Sequence, residues 1–415
     1  MGRVRVLLSD GSGLTARQSA TRLAAAGHQV GVLTGDPLAL SRFTRHVTHR
    51  HRVPPYGTGP FAWLDAALEA YAAGRYDVLL PTQEQVAVLA RAPGRLAAAG
   101  VVTAVPPFAA LSRVQDKVSA GATLAGLGLP QPESSVVTTA ADLAGWDGFP
   151  VFVKVPIGTA TTGVTRVGGR AAMVALAATL DAEGTFAGSG VVVQSPVAGD
   201  LAMVQAVFAH GSLVALHANL RVREGANGGA SHKRSIDVGP VRALVETLGG
   251  ALGWHGALSV DVIIGDDGPR CIDVNPRLVE PQNAWFSGVD LVGALLEVAV
   301  GGTPVPRPSP VAGVGTHQLL LSVLGAAQHV GTRRAVLTEL TQCRRHGGAY
   351  ADSVEELTPI GGDLRTMVPV AAAAAATLVR PAWWSAFASG AVSSYALTPA
   401  GWDEILAGPP GRATV

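Results

Sequence analysis

The sequence has few cysteines and few charged residues, and each shortage excludes a class of protein. Its 415 residues contain only Cys271 and Cys343, which is too few for a disulfide framework. Lys and Arg total 31 and Asp and Glu total 30, so the formal net charge of +1 argues against a nucleic-acid partner. A strand pattern begins near residue 4, with no apolar signal region before it. We therefore expect a cytoplasmic protein that does not associate with membranes.

One uncharged apolar stretch needs separate treatment. Residues 367–379 include six consecutive alanines and no charged side chain. They are fewer than the roughly 20 residues that a membrane-spanning helix requires. The stretch therefore predicts a buried helix rather than a membrane anchor.

The N-terminal quarter alternates between strand patterns and helix patterns. Aliphatic runs end at Leu8, Leu33 and Leu80, and helices are predicted at residues 15–26 and 84–90. Alternation of this kind predicts an α/β domain with a parallel sheet and helical crossovers.

A glycine turn follows the first predicted strand. Residues 11–16 fit the G-x-G-x-x-A variant of the dinucleotide-binding fingerprint, and Asp36 could bind a ribose. The same glycines, Gly11 and Gly13, also suit the close packing of a strand against a helix. A dinucleotide-binding oxidoreductase or nucleotide-sensing module is therefore an alternative, and it predicts nucleotide binding that fails when Gly13 becomes bulky.

Two aspartates are predicted to face each other across a hairpin. Residues 258–264 and 271–275 are typical of strands, and the Asp-Gly pair at 267–268 predicts a tight turn between them. This pairing brings Asp261 and Asp273 together. Two carboxylates about 4 Å apart repel by roughly 4 kcal/mol at an effective dielectric of about 20, and a divalent cation removes that cost.

Alternation along the second strand adds two more side chains to the same face. Asp273, Asn275 and Arg277 are spaced by two residues, whereas Ile272 and Val274 are expected to face a core. Two carboxylates and an amide suit Mg²⁺, with Mn²⁺ as a substitute, and Arg277 would bind phosphates beside the metal. The alternative is a solvated hairpin in which Asn275 caps a helix.

A lysine lies within an apolar strand pattern at residues 149–155. Lys154 is flanked by valines and is costly to bury without an anionic partner. The loop after it, at residues 158–163, offers backbone N–H groups and hydroxyls that could cover phosphates.

The order of these elements resembles the ATP-grasp superfamily, in particular the branch of carbamoyl-phosphate synthase and biotin carboxylase. The resemblance covers roughly residues 1–305. It implies a fold of the α/β and α+β classes, with a Rossmann-like N-terminal domain at 1–108 and two ATP-grasp subdomains at 109–190 and 191–305. A C-terminal α/β extension follows at 306–415. ATP would lie between the two subdomains.

The resemblance also implies the role of individual residues. The pattern at residues 111–126 predicts one helix, and within it residues 116–117 resemble the helix that bears the first nucleotide-binding basic residue. Residues 158–163 resemble the phosphate-covering loop, and residues 191–197 resemble the strand that meets adenine. The cofactor-binding residues implied are Lys117, Lys154, Gly158, Thr161, Thr162, Gly163, Gln194, Ser195, Val197 and Asp200. The metal ligands implied are Asp261, Asp273 and Asn275, followed by Arg277.

Residues 219–236 form a polar, basic stretch between two strand patterns. The resemblance places a loop that closes over the acceptor site here. A solvated loop is the alternative for any single residue. Five basic residues together favour anion binding, namely Arg221, Arg223, His232, Lys233 and Arg234. We expect Arg221, Arg223 and Lys233 to bind a carboxylate or the γ-phosphate, with Ser231 in the same substrate site.

These residues and the resemblance favour an ATP-dependent carboxylate-amine ligase. An acyl phosphate would form from ATP and a carboxylate, while Arg277, Lys154 and Arg221 offset the phosphoryl charge. An amine would then displace phosphate and give an amide or peptide-like bond on an amino acid or specialised metabolite. A carboxylase or kinase that uses carboxyphosphate is the alternative on the same fold.

The partners expected are small-molecule carboxylates and amines. The C-terminal region is harder to interpret, although it contains Trp383, Trp384 and Trp402. Such aromatics could cap the substrate pocket or form a homodimer contact.

Overall fold

The computed structural model describes residues 2–159, 163–357, 363–388 and 390–409, which form three β-sheets and the helices around them. The strands are β1 (Arg5–Leu8), β2 (Gln29–Thr34), β3 (His49–Arg52), β4 (Val78–Leu80), β5 (Ser134–Val137), β6 (Val151–Lys154), β7 (Val164–Val167), β8 (Val191–Gln194), β9 (Asp200–Ala209), β10 (Ser212–Glu224), β11 (Ala230–Ser235), β12 (Gly256–Gly265), β13 (Gly268–Asn275), β14 (Gly315–His317) and β15 (Ser353–Glu355).

The α-helices are α1 (Leu14–Ala25), α2 (Pro60–Gly74), α3 (Val86–Arg91), α4 (Pro93–Ala98), α5 (Phe108–Gln115), α6 (Lys117–Gly126), α7 (Ala140–Ala144), α8 (Arg170–Ala182), α9 (Gly239–Ala251), α10 (Gln282–Phe286), α11 (Leu291–Ala299), α12 (Leu319–His329), α13 (Arg333–Arg345), α14 (Met367–Val379), α15 (Trp384–Ala388), α16 (Gly390–Tyr395) and α17 (Pro399–Ala407).

The N-terminal sheet is parallel, as the alternation of strand and helix patterns predicts. Its order is β3, β2, β1, β4, and each neighbouring pair runs parallel. Leu7 and Leu79 pair across β1 and β4 and are fully buried. The chain adds β2 and β3 on one side of β1 and then adds β4 on the other side. In α/β sheets, ligands bind beyond the carboxyl ends of the strands at such a switch in strand order.

The smaller antiparallel sheet supplies one wall of a cleft. Its order is β5, β8, β6, β7, and helices α7 and α8 pack on it through a core that includes Val153, Met173 and Val191. Lys154 ends β6 and Gln194 ends β8, so both polar side chains lie where strands leave this sheet.

The larger sheet supplies the opposite wall. Its order is β13, β12, β9, β10, β11, β14, β15, with only the β14 and β15 pair parallel. Phe208, Leu258 and Val260 are buried in its core. The hairpin of β12 and β13 lies at one edge of this sheet.

Two sheets continue across the domain boundaries drawn from the sequence. The sequence places the start of the large subdomain at residue 191, but β8 begins there and lies inside the smaller sheet. The C-terminal extension is placed after residue 305, but its strands β14 and β15 complete the larger sheet. The extension is therefore part of the framework around the cleft.

One helix predicted from the sequence is two helices in the structure. The pattern at residues 111–126 predicts a single helix, but α5 ends at Gln115 and α6 begins at Lys117. Asp116 between them is extended, and its Oδ1 accepts from the N–H groups of Val118 at 2.7 Å and Ser119 at 3.1 Å. This N-cap starts α6 in a new direction and presents Lys117 beside the phosphate loop.

Helix α14 has the bounds of the alanine-rich stretch. It is half-buried, with Val370, Ala373 and Thr377 on its inner face. In the described ranges of the chain, no helix is both long and apolar enough to cross a membrane.

Candidate active site

The hairpin of β12 and β13 places Asp261 directly opposite Asp273, as the sequence predicts. Asn275 lies two residues further along β13, opposite Ser259. The hairpin closes between Gly265 and Gly268, and Gly268 has a φ of +96°, which favours glycine. Two carboxylates and an amide therefore lie along neighbouring strands.

A β-bulge in β13 changes the packing of one neighbour. Asp261 pairs with Asp273, but Val262 pairs with Cys271, so the register skips Ile272. Cys271 belongs to the hydrophobic core, whereas Ile272 is only half-buried and borders the cleft. The expectation that Ile272 faces the core is therefore wrong, because sequence alternation does not reveal the inserted residue.

The aspartate pair is short of positive charge. Neither carboxylate forms an ion pair or hydrogen bond with another described residue. Burial and the charge of Asp273 raise the pKa of Asp261 to about 7, although Arg277, Lys154 and Arg221 act in the opposite direction. A bound cation would relieve this repulsion.

Lys154 faces the same pair from the opposite wall. It is 6% exposed, and its Nζ donates to the carbonyl oxygen of Ile272 at 2.7 Å. Burial lowers the pKa of Lys154, the charge of Asp273 opposes that effect, and the charge of Lys117 adds to it. The anionic partner expected from the sequence is therefore Asp273, which acts through space.

The cleft brings four predicted site residues together. Its lining includes Lys117, Lys154, Gln194 and Asp273. The Nζ of Lys117 donates to the carbonyl oxygen of Gly158 at 3.1 Å, and the Nε2 of Gln194 donates to the Oγ of Ser134 at 3.1 Å. These residues come from α6, β6, β8 and β13, so the site depends on both sheets.

Gly158 and Gly163 lie at the ends of the predicted phosphate loop. The Val155 N–H donates to the carbonyl oxygen of Gly163 at 2.8 Å, and Gly163 has a φ of +80°. A Cβ at Gly163 would lie 2.3 Å from the Cγ2 of Val155, so this position requires glycine. Thr161 and Thr162, which the resemblance assigns to phosphate binding, lie outside the described residues.

Three predicted nucleotide contacts follow β8. The Ser195 N–H donates to the carbonyl oxygen of Glu133 at 2.9 Å, Val197 is half-buried, and Asp200 is exposed at the start of β9. None of these three lines the cleft in the described structure. Their contacts with adenine and ribose stay predictions.

Arg277 is buried against a residue from the N-terminal domain. It is 6% exposed, and its Nε donates to the Oε1 of Glu84 at 3.0 Å. Burial disfavours the charged guanidinium, but Glu84 and Tyr395 raise the pKa of Arg277 above its usual value. Glu84 and Tyr395 are functional candidates that sequence reasoning missed, because no local pattern connects residues so distant along the chain.

Arg221 lies near the hairpin. Its Nη1 donates to the carbonyl oxygen of Gly228 at 2.8 Å, and its Nη2 lies 3.3 Å from the Oε2 of Glu224. Its charge reaches Asp261 and lowers the pKa of that carboxyl. A role for Arg221 in charge stabilisation is therefore compatible with its position.

Arg223 and Ser231 make internal contacts. Arg223 binds both carboxylate oxygens of Glu339 from α13, and the Tyr350 hydroxyl donates to the same carboxylate at 2.6 Å. Ser231 is fully buried, and its Oγ donates to the carbonyl oxygen of Arg223 at 3.1 Å. The substrate contacts assigned to both residues stay predictions, and the geometry gives each a structural partner.

Lys233 also forms ion pairs within the chain. It is 3% exposed, and its Nζ lies 2.5 Å from the Oε2 of Glu280 and 2.8 Å from the Oε2 of Glu356. Gln18 from α1 and Thr316 from β14 donate to Glu356 at 3.1 and 2.6 Å. Burial opposes the charge on Lys233, but the two carboxylates hold its pKa above the usual value. Lys233 therefore links the segment after β13 to the C-terminal extension, and Glu356 extends this link to the N-terminal domain through Gln18.

The Asp10 carboxylate binds the backbone N–H groups of the N-terminal glycine turn. The Oδ2 of Asp10 accepts from the N–H groups of Ser12 at 3.0 Å and Gly13 at 3.1 Å. A Cβ at Gly11 would lie 2.7 Å from the Oγ of Ser41, so close packing accounts for this glycine. This arrangement disfavours the dinucleotide alternative, because a pyrophosphate would have to displace Asp10 from the start of α1.

The donor set of the hairpin fits one type of metal site. No group of three His, Cys, Asp or Glu side chains that could hold a metal ion is found within residues 2–159, 163–357, 363–388 and 390–409. Mg²⁺ does not need such a group, because it commonly takes one or two carboxylates and completes its coordination with substrate phosphates and water. Asp261 and Asp273, without a cation of their own, and Asn275 meet that requirement.

Comparison with known proteins identifies one domain of the chain. Residues 114–281 match a family model described as an ATP-grasp domain. No curated protein matches the chain. A biotin carboxylase structure from Campylobacter jejuni is similar with a TM-score of 0.60 and 15% identity, over 76% of this chain and 74% of that chain.

Two further solved structures show the same fold. An L-amino acid ligase from Bacillus licheniformis has a TM-score of 0.57 and 16% identity, over 77% of this chain and 81% of that chain. An N5-carboxyaminoimidazole ribonucleotide synthetase from Thermus thermophilus has a TM-score of 0.55 and 17% identity, over 83% of this chain and 98% of that chain. The matched range 114–281 contains every site residue that the resemblance implies. Residues 114–281 therefore form an ATP-grasp domain, and the resemblance and the fold class predicted from the sequence are confirmed.

Proposed function

We propose that this protein is an ATP-dependent carboxylate-amine ligase that forms an amide or peptide-like bond through an acyl phosphate. One observation carries the proposal. Asp261 and Asp273 face each other with no cation in direct contact among the described residues, and Asp273 lines a cleft whose other wall carries Lys154 and Gln194. That arrangement suits a metal-bound nucleotide held between the two sheets.

ATP would lie in the cleft between the two sheets. Main-chain groups near Gln194, Ser195 and Val197 would meet adenine, and Asp200 would reach the ribose. Lys117, Lys154 and the loop at 158–163 would surround the phosphates. Support comes from Lys117 and Lys154, which lie in one cleft and have no carboxylate in direct contact among the described residues.

Asp261, Asp273 and Asn275 would hold Mg²⁺. The ion would supply positive charge at the β- and γ-phosphates. The chain's contribution is to place two carboxylates on opposite strands of a rigid hairpin, so that the ion meets fixed ligands.

The reaction needs little covalent chemistry from the protein. An oxygen of the substrate carboxylate attacks the γ-phosphorus, the bond to the β–γ bridging oxygen breaks, and ADP leaves. The amine nitrogen then attacks the acyl carbon, phosphate leaves with its bridging oxygen, and the amine loses a proton. Lys154, Arg277 and Arg221 would offset the charge of the phosphoryl oxygens.

The first test is the release of ADP and phosphate from ATP, with and without Mg²⁺, across amino acids and small carboxylic acids paired with amines. We expect turnover that requires one carboxylate and one amine. Asp273→Asn should lower kcat by about 100-fold or more. Asp266→Asn is the matched control, because Asp266 is an exposed aspartate in the turn of the same hairpin. Equal activity of the two variants would contradict the proposed metal site.

The alternative on the same fold gives a different result. A carboxyphosphate enzyme would release ADP when bicarbonate is added without an amine. Hydroxylamine separates the two cases, because it traps an acyl phosphate as a hydroxamate of the carboxylate substrate. Bicarbonate-dependent ADP release without any hydroxamate would replace the ligase proposal with the carboxyphosphate one.

A further inference from the structure

We propose that a buried polar cluster beside Arg277 binds the ammonium group of the amine substrate. The cluster, called the acceptor cluster below, consists of Asp10, Gln83, Glu84, Arg277, Glu280 and Tyr395. The inference rests on the ligase function proposed above, because it names the site of that ligase's second substrate. It also brings the C-terminal extension into the active site, through Tyr395.

Separate parts of the chain converge at Gly13. A Cβ built on Gly13 would lie 3.1 Å from the Nε2 of Gln83, 3.3 Å from the Cε1 of Tyr395 and 3.8 Å from the Oδ2 of Asp10. The Glu280 N–H donates to the Oγ1 of Thr15, two residues further along the chain, at 3.1 Å. The ends of β1 and β4, the segment after β13 and the end of α16 therefore meet at one place.

The acceptor cluster has more carboxylates than cations. Asp10, Glu84 and Glu280 are its acids, and Arg277 is its only cation among the described residues. The Nε of Arg277 lies 3.0 Å from the Oε1 of Glu84, so this cation is already paired with one of the three acids. The Asp10 carboxylate is held by hydrogen bonds to Ser12 and Gly13 and has no ion pair in the described part of the chain.

Lys233, which contacts Glu280, does not neutralise the excess negative charge of the acceptor cluster. Lys233 contacts Glu280 at 2.5 Å and Glu356 at 2.8 Å, so one ammonium faces two carboxylates. The other contacts of this pair are neutral, from Gln18, Thr316 and Gln318. A buried excess of negative charge is costly unless a cation joins it.

One hydrogen-bond acceptor in the acceptor cluster, and another that contacts the cluster through Glu84, lack donors. The Oε1 atoms of Gln83 and Gln115 are buried without a partner among the described residues. The Nε2 of Gln115 donates to the Oε2 of Glu84 at 3.1 Å, which leaves its carbonyl oxygen as the free end. Because buried polar atoms are rarely unpaired, these oxygens indicate a missing donor.

Tyr395 contributes a hydroxyl to the acceptor cluster. The residue is 8% exposed, and its hydroxyl, which forms no hydrogen bond with another described residue, is not fully enclosed. Burial raises the pKa of Tyr395, and the charges of Arg277, Asp10, Glu84 and Glu280 all reach its hydroxyl. A phenol in this position can accept a hydrogen bond from a cation that the carboxylates attract.

A primary ammonium matches each of these features. It carries one positive charge and three N–H donors, and it has no acceptor to leave unpaired. A carboxylate or phosphate would add to the negative charge, and water would supply donors without the charge. Arg277 connects this place to the metal hairpin, because its charge lowers the pKa of Asp261. Before the attack on the acyl phosphate, the bound ammonium would pass one proton to a carboxylate of the acceptor cluster, and the neutral amine would then have its electron pair free.

The test compares two small acceptors that differ in charge. At neutral pH methylamine is an ammonium ion and hydroxylamine is neutral. We expect Tyr395→Phe and Glu280→Gln to raise KM for methylamine about tenfold or more, because each removes a contact with a charged group. KM for hydroxylamine should change less than about threefold. Tyr71→Phe is the matched control, because it makes the same chemical change in the N-terminal domain and leaves the acceptor cluster intact.

Binding of methylammonium can be measured without catalysis, and this measurement tests the ammonium site independently of the ligase proposal. Methylammonium chloride should raise Tm of the wild type above the value in equal sodium chloride, and Tyr395→Phe should abolish the difference. A wild type without this difference, or a variant that keeps it, overturns the ammonium site whether or not ligase activity is found. Equal changes of both KM values in Tyr395→Phe would overturn it too. The absence of any hydroxamate, with the methylammonium effect intact, would count against the ligase proposal alone.

Discussion

Two pairs of acidic residues near the hairpin differ in whether a cation of the chain contacts them. Asp261 and Asp273 face each other with no cation in contact within the described ranges, whereas Glu280 and Glu356 share the ammonium of Lys233. Burial alone does not separate the two pairs, because Asp261, Asp273 and Glu280 are all half-buried and only Glu356 is buried. The difference is whether the chain supplies the positive charge. A pair that the chain neutralises stabilises the fold, and a pair that it leaves unneutralised is available to a cation from outside.

The largest expected effect comes from removing the internal cation. Lys233→Met leaves the buried Glu356 and the half-buried Glu280 together without their ammonium. We expect the free energy of unfolding to fall by about 3–5 kcal/mol, measured by urea denaturation. Arg242→Met is the control, because the exposed pair of Arg242 with Glu246 contributes about 1 kcal/mol or less. A similar loss in both variants would contradict the structural role of Lys233.

Asp10 is a buried carboxyl group without an ion pair in the described part of the chain, and its ionisation should make the stability of the protein depend on pH. Burial raises its pKa from 3.8 to about 6, so the folded state holds this proton more tightly than the unfolded state. The stabilising contribution is complete below pH 3.8 and is lost as the pH rises to about 6. Between about pH 4 and pH 7, the wild type should lose roughly 1–3 kcal/mol more stability than Asp10→Asn. Parallel stability curves for the two proteins would show that Asp10 ionises without cost.

Glu339 tests whether Arg223 is structural or binds substrate. Glu339→Gln removes the charge that Arg223 and Tyr350 share. If the pair anchors α13, the free energy of unfolding should fall by about 1–2 kcal/mol while KM for the carboxylate changes little. An altered KM with unchanged stability would instead support the substrate role predicted for Arg223.

The smallest expected effect on stability concerns the pair without a cation. Asp261→Asn removes the repulsion with Asp273 and should raise the free energy of unfolding in EDTA by up to about 1 kcal/mol. The same change should abolish the rise in Tm that Mg²⁺ and ATP give to the wild type. A variant that is less stable in EDTA would mean that the described structure already satisfies Asp261.

The parts of the site that share one strand or hairpin could be predicted from the sequence. The facing of Asp261 and Asp273 follows from two strand patterns and a turn, and burial of Lys154 follows from the valines beside it. The inserted residue at Ile272 could not be predicted, because a bulge has no fixed composition. The break at Asp116 carried a usable signal, since aspartate is a preferred N-cap.

Contacts between distant segments could not be predicted. Arg277 with Glu84, Arg223 with Glu339 and Lys233 with Glu356 each join different structural units. Single-sequence patterns describe which face of an element is buried, but they do not say which other element covers it. For this reason the basic stretch at residues 219–236 suggests a site open to substrate, and the structure shows Arg223 and Lys233 paired.

The most direct test of the central claim is calorimetric binding of a nonhydrolysable ATP analogue in the presence and absence of Mg²⁺. We expect Mg²⁺-dependent binding to the wild type and to Asp266→Asn, and a loss of the Mg²⁺ dependence in Asp273→Asn. If binding to Asp273→Asn kept the full Mg²⁺ dependence, the pair of Asp261 and Asp273 would not be where the cation binds.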